Sequence, residues 1–113
     1  MSSPLKLLFI CSRNKWRSRT AEEIYRAFPG YEARSAGTEP SARIRVTAGK
    51  LGWADIVFVM ERKHATYLRT KFADAIAGKR VVCLDIADGP GFMDPELIAT
   101  LKSALREHVD VPD

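Results

Sequence analysis

The residues best suited to chemistry lie in one short segment near the start of the chain. Cys11 is followed six positions later by Arg17 and then by Ser18. A thiolate is a strong nucleophile, and the planar guanidinium of an arginine can bind two oxygens of a phosphate group at once. These residue types at this spacing predict a site where a cysteine attacks a bound oxyanion. Because the spacing arises easily by chance, the prediction depends on the elements on either side.

The segments around Cys11 are suited to position it. Residues 5–10 form an apolar run typical of a buried strand, and residues 20–28 carry apolar side chains at helical intervals. A loop between a strand and a helix N-terminus gathers unpaired N–H groups and the positive end of the helix dipole, which together bind anions. The same donors favour a thiolate over a thiol. The alternative interpretation is a buried structural cysteine with a solvated arginine.

The loop resembles the phosphate-binding loop of the low-molecular-weight protein tyrosine phosphatase family. Cys11, Asn14, Arg17 and Ser18 stand at the family's spacing. Further similarities lie at 35–38 (Ser-Ala-Gly-Thr), at 53–62 (a strand and the turn after it) and at 93–95 (an Asp-Pro loop). The resemblance therefore extends over most of the chain.

The resemblance implies a mechanism and a role for individual residues. Cys11 would attack phosphorus and form a phosphocysteine, Arg17 would hold the phosphate oxygens, and Asp94 would act as general acid and base. Ser35 would support Asn14 from the neighbouring turn. No metal or other cofactor is needed. The other residues expected to bind phosphate or shape the loop are Ser12, Arg13, Asn14, Lys15, Trp16 and Ser18.

Asp94 also has a purely structural interpretation. It stands before Pro95 at the start of a predicted helix, where an aspartate commonly caps the N-terminus. Position alone favours the cap, whereas the resemblance favours the acid. Asp85 and Asp88 are the alternative acids.

Strands and helices alternate along the rest of the chain, which predicts an α/β fold. The patterns indicate strands at 31–35, 56–60 and 79–86, a short helix at about 43–51, and longer helices at 62–72 and 95–107. Such alternation implies a parallel sheet, with ligands bound beyond the carboxyl ends of its strands. The resemblance implies a three-layer sandwich whose four-stranded sheet has the order 2-1-3-4. Segment 39–52 is shorter than in the family, which shortens one wall of the cleft.

Several side chains are expected to have no part in the chemistry. His64 and His108 are predicted to lie on the surface or on a helix face, and Cys83 is predicted to be buried in a strand. Trp16 stands where the family usually has a second cysteine. A reversible disulfide that could protect the nucleophile from oxidation is therefore not expected.

Composition and charge set the broad class of the protein. The 113 residues, 46% hydrophobic and 28% charged, predict a single globular domain over 1–113. No segment has the apolar length of a membrane span, and residues 1–4 lack the charged start of a signal sequence. We therefore expect a cytoplasmic location, where thiols stay reduced. The formal net charge of +4 favours acidic ligands.

Three functions remain open. The leading one is hydrolysis of phosphotyrosine in proteins, or of a small aryl phosphate, with phosphate or sulfate readily bound in the loop. Arsenate reductases share the loop but typically need two further cysteines, and this chain has only Cys83 besides Cys11. A non-catalytic phosphate- or nucleic-acid-binding module would suit Arg13 and Lys15. Such a module needs no thiolate, so nucleic acid is the less favoured partner.

Overall fold

Helices and strands alternate in the computed structural model, which describes residues 3–113. Residues 1–2 of the segment considered for a signal sequence lie outside this range. No helix within 3–113 combines the length and the apolar character needed to cross a membrane. The elements are β1 (Leu5–Cys11), α1 (Arg17–Tyr25), β2 (Tyr31–Gly37), α2 (Ala48–Trp53), β3 (Ile56–Val59), α3 (Arg62–Lys71), α4 (Ala73–Ile76), β4 (Arg80–Cys83) and α5 (Pro95–Leu105).

The four strands form one parallel sheet in the order β2-β1-β3-β4, and the predicted fold class and strand order are confirmed. Strand β1 is central, because Leu7 pairs with Ala33 on one side and with Ile56 on the other. Both faces of β1 are covered, which explains its nearly continuous apolar sequence.

Alternate residues of β1 enter two separate cores, one on each face of the sheet. Leu7, Phe9 and Cys11 belong to the core formed with α1 and α5. Leu8 and Ile10 belong to the core formed with α2, α3 and α4. The cysteine therefore ends the strand on the face that α1 covers, directly before the loop that leads into this helix.

The structure differs from the sequence prediction at several points; the last strand, predicted at 79–86, spans Arg80–Cys83. Helix α2 begins at Ala48 rather than near 43, because the chain before it pairs with the end of β2: the Gly37 N–H donates to the Ile44 carbonyl at 2.8 Å, and the Val46 N–H donates to the Gly37 carbonyl at 3.0 Å. Cys83 is exposed rather than buried. It ends β4, which lies at the edge of the sheet and lacks a neighbouring strand on one side.

Candidate active site

The loop between β1 and α1 turns its carbonyl groups away from the cysteine. The carbonyl oxygens of residues 11, 12 and 13 accept hydrogen bonds from the backbone N–H groups of Thr38, Glu39 and Arg43 at 2.9–3.1 Å. The carbonyl of Asn14 accepts from Nε of Arg43 at 3.1 Å. Across a trans peptide the N–H points opposite to the C=O, so the N–H groups of residues 12–15 face the interior of the loop. The segment after β2 thus orients a ring of anion-binding donors.

The sulfur of Cys11 lies at the base of this ring. It is 3.3 Å from the backbone nitrogen of Asn14 and 3.0 Å from Oγ of Ser18. Asn14 holds the loop in a left-handed conformation (φ 58°), which asparagine tolerates better than most residues. Its side-chain amide donates to Oγ of Ser18 at 2.8 Å. The Ser18 hydroxyl, having accepted that bond, can donate its own hydrogen to a thiolate.

The expected contact between Ser35 and Asn14 is absent from the described residues, and this prediction is wrong. Ser35 stands opposite Phe9 in the strand register and therefore faces α1. Its hydroxyl donates to the carboxylate of Glu22 on that helix. Support for Asn14 comes instead from Ser18, within the loop's own continuation into α1.

Arg17 is buried and fixed in position, with 2% of its surface exposed. Its Nη1 donates to Oε2 of Glu61 at 2.5 Å and to the Ile86 carbonyl at 2.7 Å. These two bonds use both hydrogens of Nη1, which leaves the edge formed by Nε and Nη2 for a ligand. Nε lies 3.7 Å from Oδ1 of Asp88. The hydrogen bond from Arg17 lowers the pKa of Glu61, so this carboxylate stays charged.

A cavity of about 280 Å³ opens above the sulfur. Asn14 and Ser18 lie behind it, fully buried. Two of its lining residues, Glu39 and Lys63, were not predicted, because no local pattern links these distant positions to the loop. No cluster of three His, Cys, Asp or Glu side chains within residues 3–113 is arranged to hold a metal ion. The cavity is lined by Cys11, Ser12, Arg13, Lys15, Trp16, Arg17, Glu39, Lys63 and Asp88.

The three candidate acids lie in different places. Asp94 caps α5, and its Oδ1 accepts the Glu96 N–H at 2.9 Å; it is not among the residues that line the cavity. Asp85 lines a separate hollow against α5. Of the three, only Asp88 contributes to the cavity above the sulfur.

His64 lies on helix α3, one of the two predicted alternatives, but it is buried, with 1% of its surface exposed, and not a surface residue. Its Nδ1 accepts the Glu61 N–H at 3.0 Å, so in the neutral ring Nε2 carries the proton and donates to Oγ of Ser12, also at 3.0 Å. Burial, assisted by the positive charge of Arg17, lowers the pKa of His64 to about 4. The Glu-x-x-His spacing at a helix start resembles a capping box, and this signal could have located the residue from sequence.

Comparisons with known proteins support the fold. No protein-family model and no curated protein sequence matches this chain. Among solved structures, the tyrosine phosphatase Wzb from Escherichia coli K30, in complex with phosphate, has a TM-score of 0.71 at 19% identity and covers 93% of this chain and 96% of its own. The low molecular weight protein tyrosine phosphatase from T. tengcongensis has a TM-score of 0.66 at 19% identity, covering 93% and 99%. The YwlE arginine phosphatase from Geobacillus stearothermophilus has a TM-score of 0.65 at 19% identity, covering 96% and 100%. This chain therefore has the fold of these phosphatases.

Proposed function

We propose that this protein is a phosphomonoesterase that acts through a phosphocysteine on Cys11. One observation carries the proposal: the sulfur lies 3.3 Å from a loop N–H, inside a ring of donors whose carbonyls are bonded outward. Beside it, a buried arginine makes its hydrogen bonds to protein through Nη1 alone, and the nearest carboxylate to its Nε is that of Asp88, at 3.7 Å. A purely structural cysteine requires neither the donors nor the arginine.

The first step transfers the phosphoryl group to the enzyme. The loop N–H groups and the Nε–Nη2 edge of Arg17 hold the phosphoryl oxygens, where charge collects in the transition state. The Cys11 thiolate forms an S–P bond while the bond from phosphorus to the leaving oxygen breaks. A carboxylic acid donates its proton to that oxygen, so the alcohol or phenol leaves neutral.

The second step releases phosphate. Water attacks phosphorus, the carboxylate formed in the first step takes a proton from it, and the S–P bond breaks. The sulfur leaves as a thiolate, and the Ser18 hydroxyl at 3.0 Å can stabilise its returning charge. The products are inorganic phosphate and the original enzyme, with no oxidant or reductant consumed.

For the acid and base we propose Asp88 in place of Asp94. Asp88 lines the cavity together with Cys11, and its Oδ1 lies 3.7 Å from Nε of Arg17. Asp94 is occupied as the cap of α5. The resemblance alone favoured Asp94, because it precedes a proline.

The substrate that we propose is a phosphotyrosine side chain in a protein. Trp16 at the cavity mouth offers an aromatic surface to a phenyl ring. An arsenate reductase would need a cysteine that can relay a disulfide from Cys11, and Cys83 lies at the exposed edge strand and outside the cavity lining. Hydrolysis is therefore better supported than reduction.

Hydrolysis of p-nitrophenyl phosphate tests the reaction, with Cys11→Ser as the inactive variant. We expect a burst of p-nitrophenol and a trapped phosphoenzyme at acid pH in the wild type only. Equal activity of wild type and Cys11→Ser would refute the mechanism. Phosphotyrosine and phosphoarginine peptides, compared at equal concentration, then identify the preferred ester or amidate.

A matched pair of variants tests the acid. Asp88→Asn should lower kcat by about 10²-fold, and by more for phenyl phosphate, whose leaving group needs the proton more. Asp94→Asn should leave kcat within about twofold, because asparagine is also a good N-cap. The reverse pattern would restore Asp94 as the acid.

A further inference from the structure

The cavity over Cys11 is small for a site that encloses a whole metabolite. Its volume of about 280 Å³ lies just below the roughly 300–1,000 Å³ of pockets that bury a drug-sized ligand. A phosphorylated side chain can enter it, but the remainder of the substrate must lie on the rim. The rim residues therefore decide which substrates bind well.

The large apolar side chains that the fold leaves most exposed lie on the loop after β1 and on the segment that follows Asp88, a residue of the cavity lining. Within residues 3–113 these are Trp16, Phe92 and Met93, with exposed fractions of 44%, 38% and 39%; we call them the rim patch. Trp16 lines the cavity, and one turn further along α1 Thr20 accepts the Met93 N–H at 3.0 Å. The Arg19 guanidinium lies 4.2 Å from the centroid of the Phe92 ring. An exposed apolar surface that is held in place beside a cavity marks an interaction site.

Basic side chains accompany the rim patch. Arg13, Lys15 and Lys63 all line the cavity. Arg13 lies 3.9 Å from Glu39, and Lys63 lies 3.9 Å from Glu61, so these two cations have acidic neighbours. Lys15 forms no ion pair with the part of the chain that the structure describes. A cation without a counter-charge thus stands directly beside the tryptophan of the rim patch.

We infer that the substrate is a phosphorylated protein segment in which an acidic and an apolar residue adjoin the phosphorylated side chain; this inference rests on the proposed phosphatase function. The phosphoryl group enters the cavity, the apolar neighbour packs on the rim patch, and the acidic neighbour pairs with Lys15. A small phosphate ester would leave both features in water. Single-stranded RNA also combines negative charge with stacking groups, and the test must separate it from a polypeptide.

Two phosphotyrosine peptides of equal length provide the test. One has glutamate and leucine beside the phosphotyrosine, and the other has lysine and serine at the same positions. We expect kcat/KM to be about tenfold higher for the first, because an exposed ion pair and a partly buried apolar contact each contribute a few-fold. The preference should weaken in 0.5 M NaCl, since salt screens exposed charges.

Three variants connect the preference to the rim. Lys15→Glu should abolish or invert the preference for the acidic peptide, and Phe92→Ser should lower it about threefold. Lys102→Glu makes the same charge change on α5, outside the cavity lining, and should keep the wild-type preference. Because each variant is scored as a ratio between two peptides, a general loss of activity cannot imitate the effect.

The outcomes distinguish this inference from the proposed function. Equal kcat/KM for the two peptides, or an unchanged preference in Lys15→Glu, would overturn the inference while hydrolysis of p-nitrophenyl phosphate continued. Stronger competitive inhibition by single-stranded RNA than by the acidic peptide would overturn it in favour of a nucleic-acid partner. Failure of the wild type to hydrolyse p-nitrophenyl phosphate would instead refute the proposed function.

Discussion

Acid should destabilise this protein through His64 before it protonates the carboxylates. The ring is buried and neutral in the folded state, and its pKa is lowered to about 4, whereas an unfolded histidine has a pKa of about 6.5. Between these values the unfolded chain binds a proton that the folded chain does not. The free energy of unfolding therefore falls as pH decreases from about 6.5 towards 4.

The size of the effect follows from the two pKa values. The linkage relation gives a loss of about 2 kcal/mol between pH 7.5 and pH 5, rising to about 3 kcal/mol at pH 4. Protonation also places a hydrogen on Nδ1, which then cannot accept the Glu61 N–H. Nε2 keeps its hydrogen and can still donate to Ser12, so the contact that acid breaks is the one at the start of α3.

Urea denaturation at pH 7.5 and at pH 5 measures the loss directly, and an NMR titration of the ring measures its pKa. His64→Gln is the decisive variant, because glutamine at this position can keep the capping hydrogen bond but does not titrate. It should lose about 2 kcal/mol less than the wild type over this range. His108→Gln removes the other histidine of the chain and should keep the wild-type loss. Parallel losses in wild type and His64→Gln would refute the reasoning.

Three further substitutions test the site and its supports. Arg17→Lys should lower kcat by about 10²–10³-fold, because an ammonium cannot bind two oxygens side by side; steady-state kinetics on a folded variant, checked by circular dichroism, measures this. Gly37→Ala places a Cβ 2.6 Å from the Cβ of Ala42 and 2.6 Å from the Ser12 carbonyl, so urea denaturation should show a loss of about 1–3 kcal/mol together with weaker inhibition by phosphate. Lys79→Met removes an ammonium that donates to three carbonyls at the end of α2. It should lower the free energy of unfolding by about 1–2 kcal/mol with kcat unchanged, and an altered kcat would contradict a purely structural role.

The sheet was predictable because most of its strands can be recognised from local sequence patterns. Strands β1, β3 and β4 are short runs of mostly apolar residues, whereas β2 shows only weak alternation. The order of the strands was expected from the family resemblance. The first and last residues of the helices and strands were less predictable. Residues 43–46 belong to the segment 43–51 that was predicted to be a short helix, but backbone groups of residues 38–46 bond to the end of β2 and to the loop instead. Tertiary hydrogen bonds of this kind leave no periodic signal.

The candidate site residues of the loop could be identified from the sequence, but the residues that contact their side chains could not. Four of these residues lie within eight consecutive positions, so their spacing is itself informative: Cys11, Asn14, Arg17 and Ser18. Glu61 reaches Arg17 across 44 positions, and no single-sequence pattern links two residues at that separation. The proline after Asp94 was a local signal for a helix cap. The choice between Asp94 and Asp88 as the proposed acid depends on how the 88–94 loop lies against α1, which the sequence does not show.

The segment after β2 fixes the orientation of the loop that contains Cys11. Hydrogen bonds from residues 38, 39 and 43 orient the carbonyls of the loop, and this orientation is what presents the N–H groups to an anion. Residues 38–47 form only bends, turns and a single bridge at Arg45, not a helix, and they contribute one residue, Glu39, to the cavity lining. One segment therefore both orients the loop that is proposed to bind a phosphoryl group and contributes Glu39 to the lining of the cavity. Under the proposed function, contacts beyond the phosphoryl group are expected to involve the loop residues Lys15 and Trp16, which line the cavity, and the segment that follows β4.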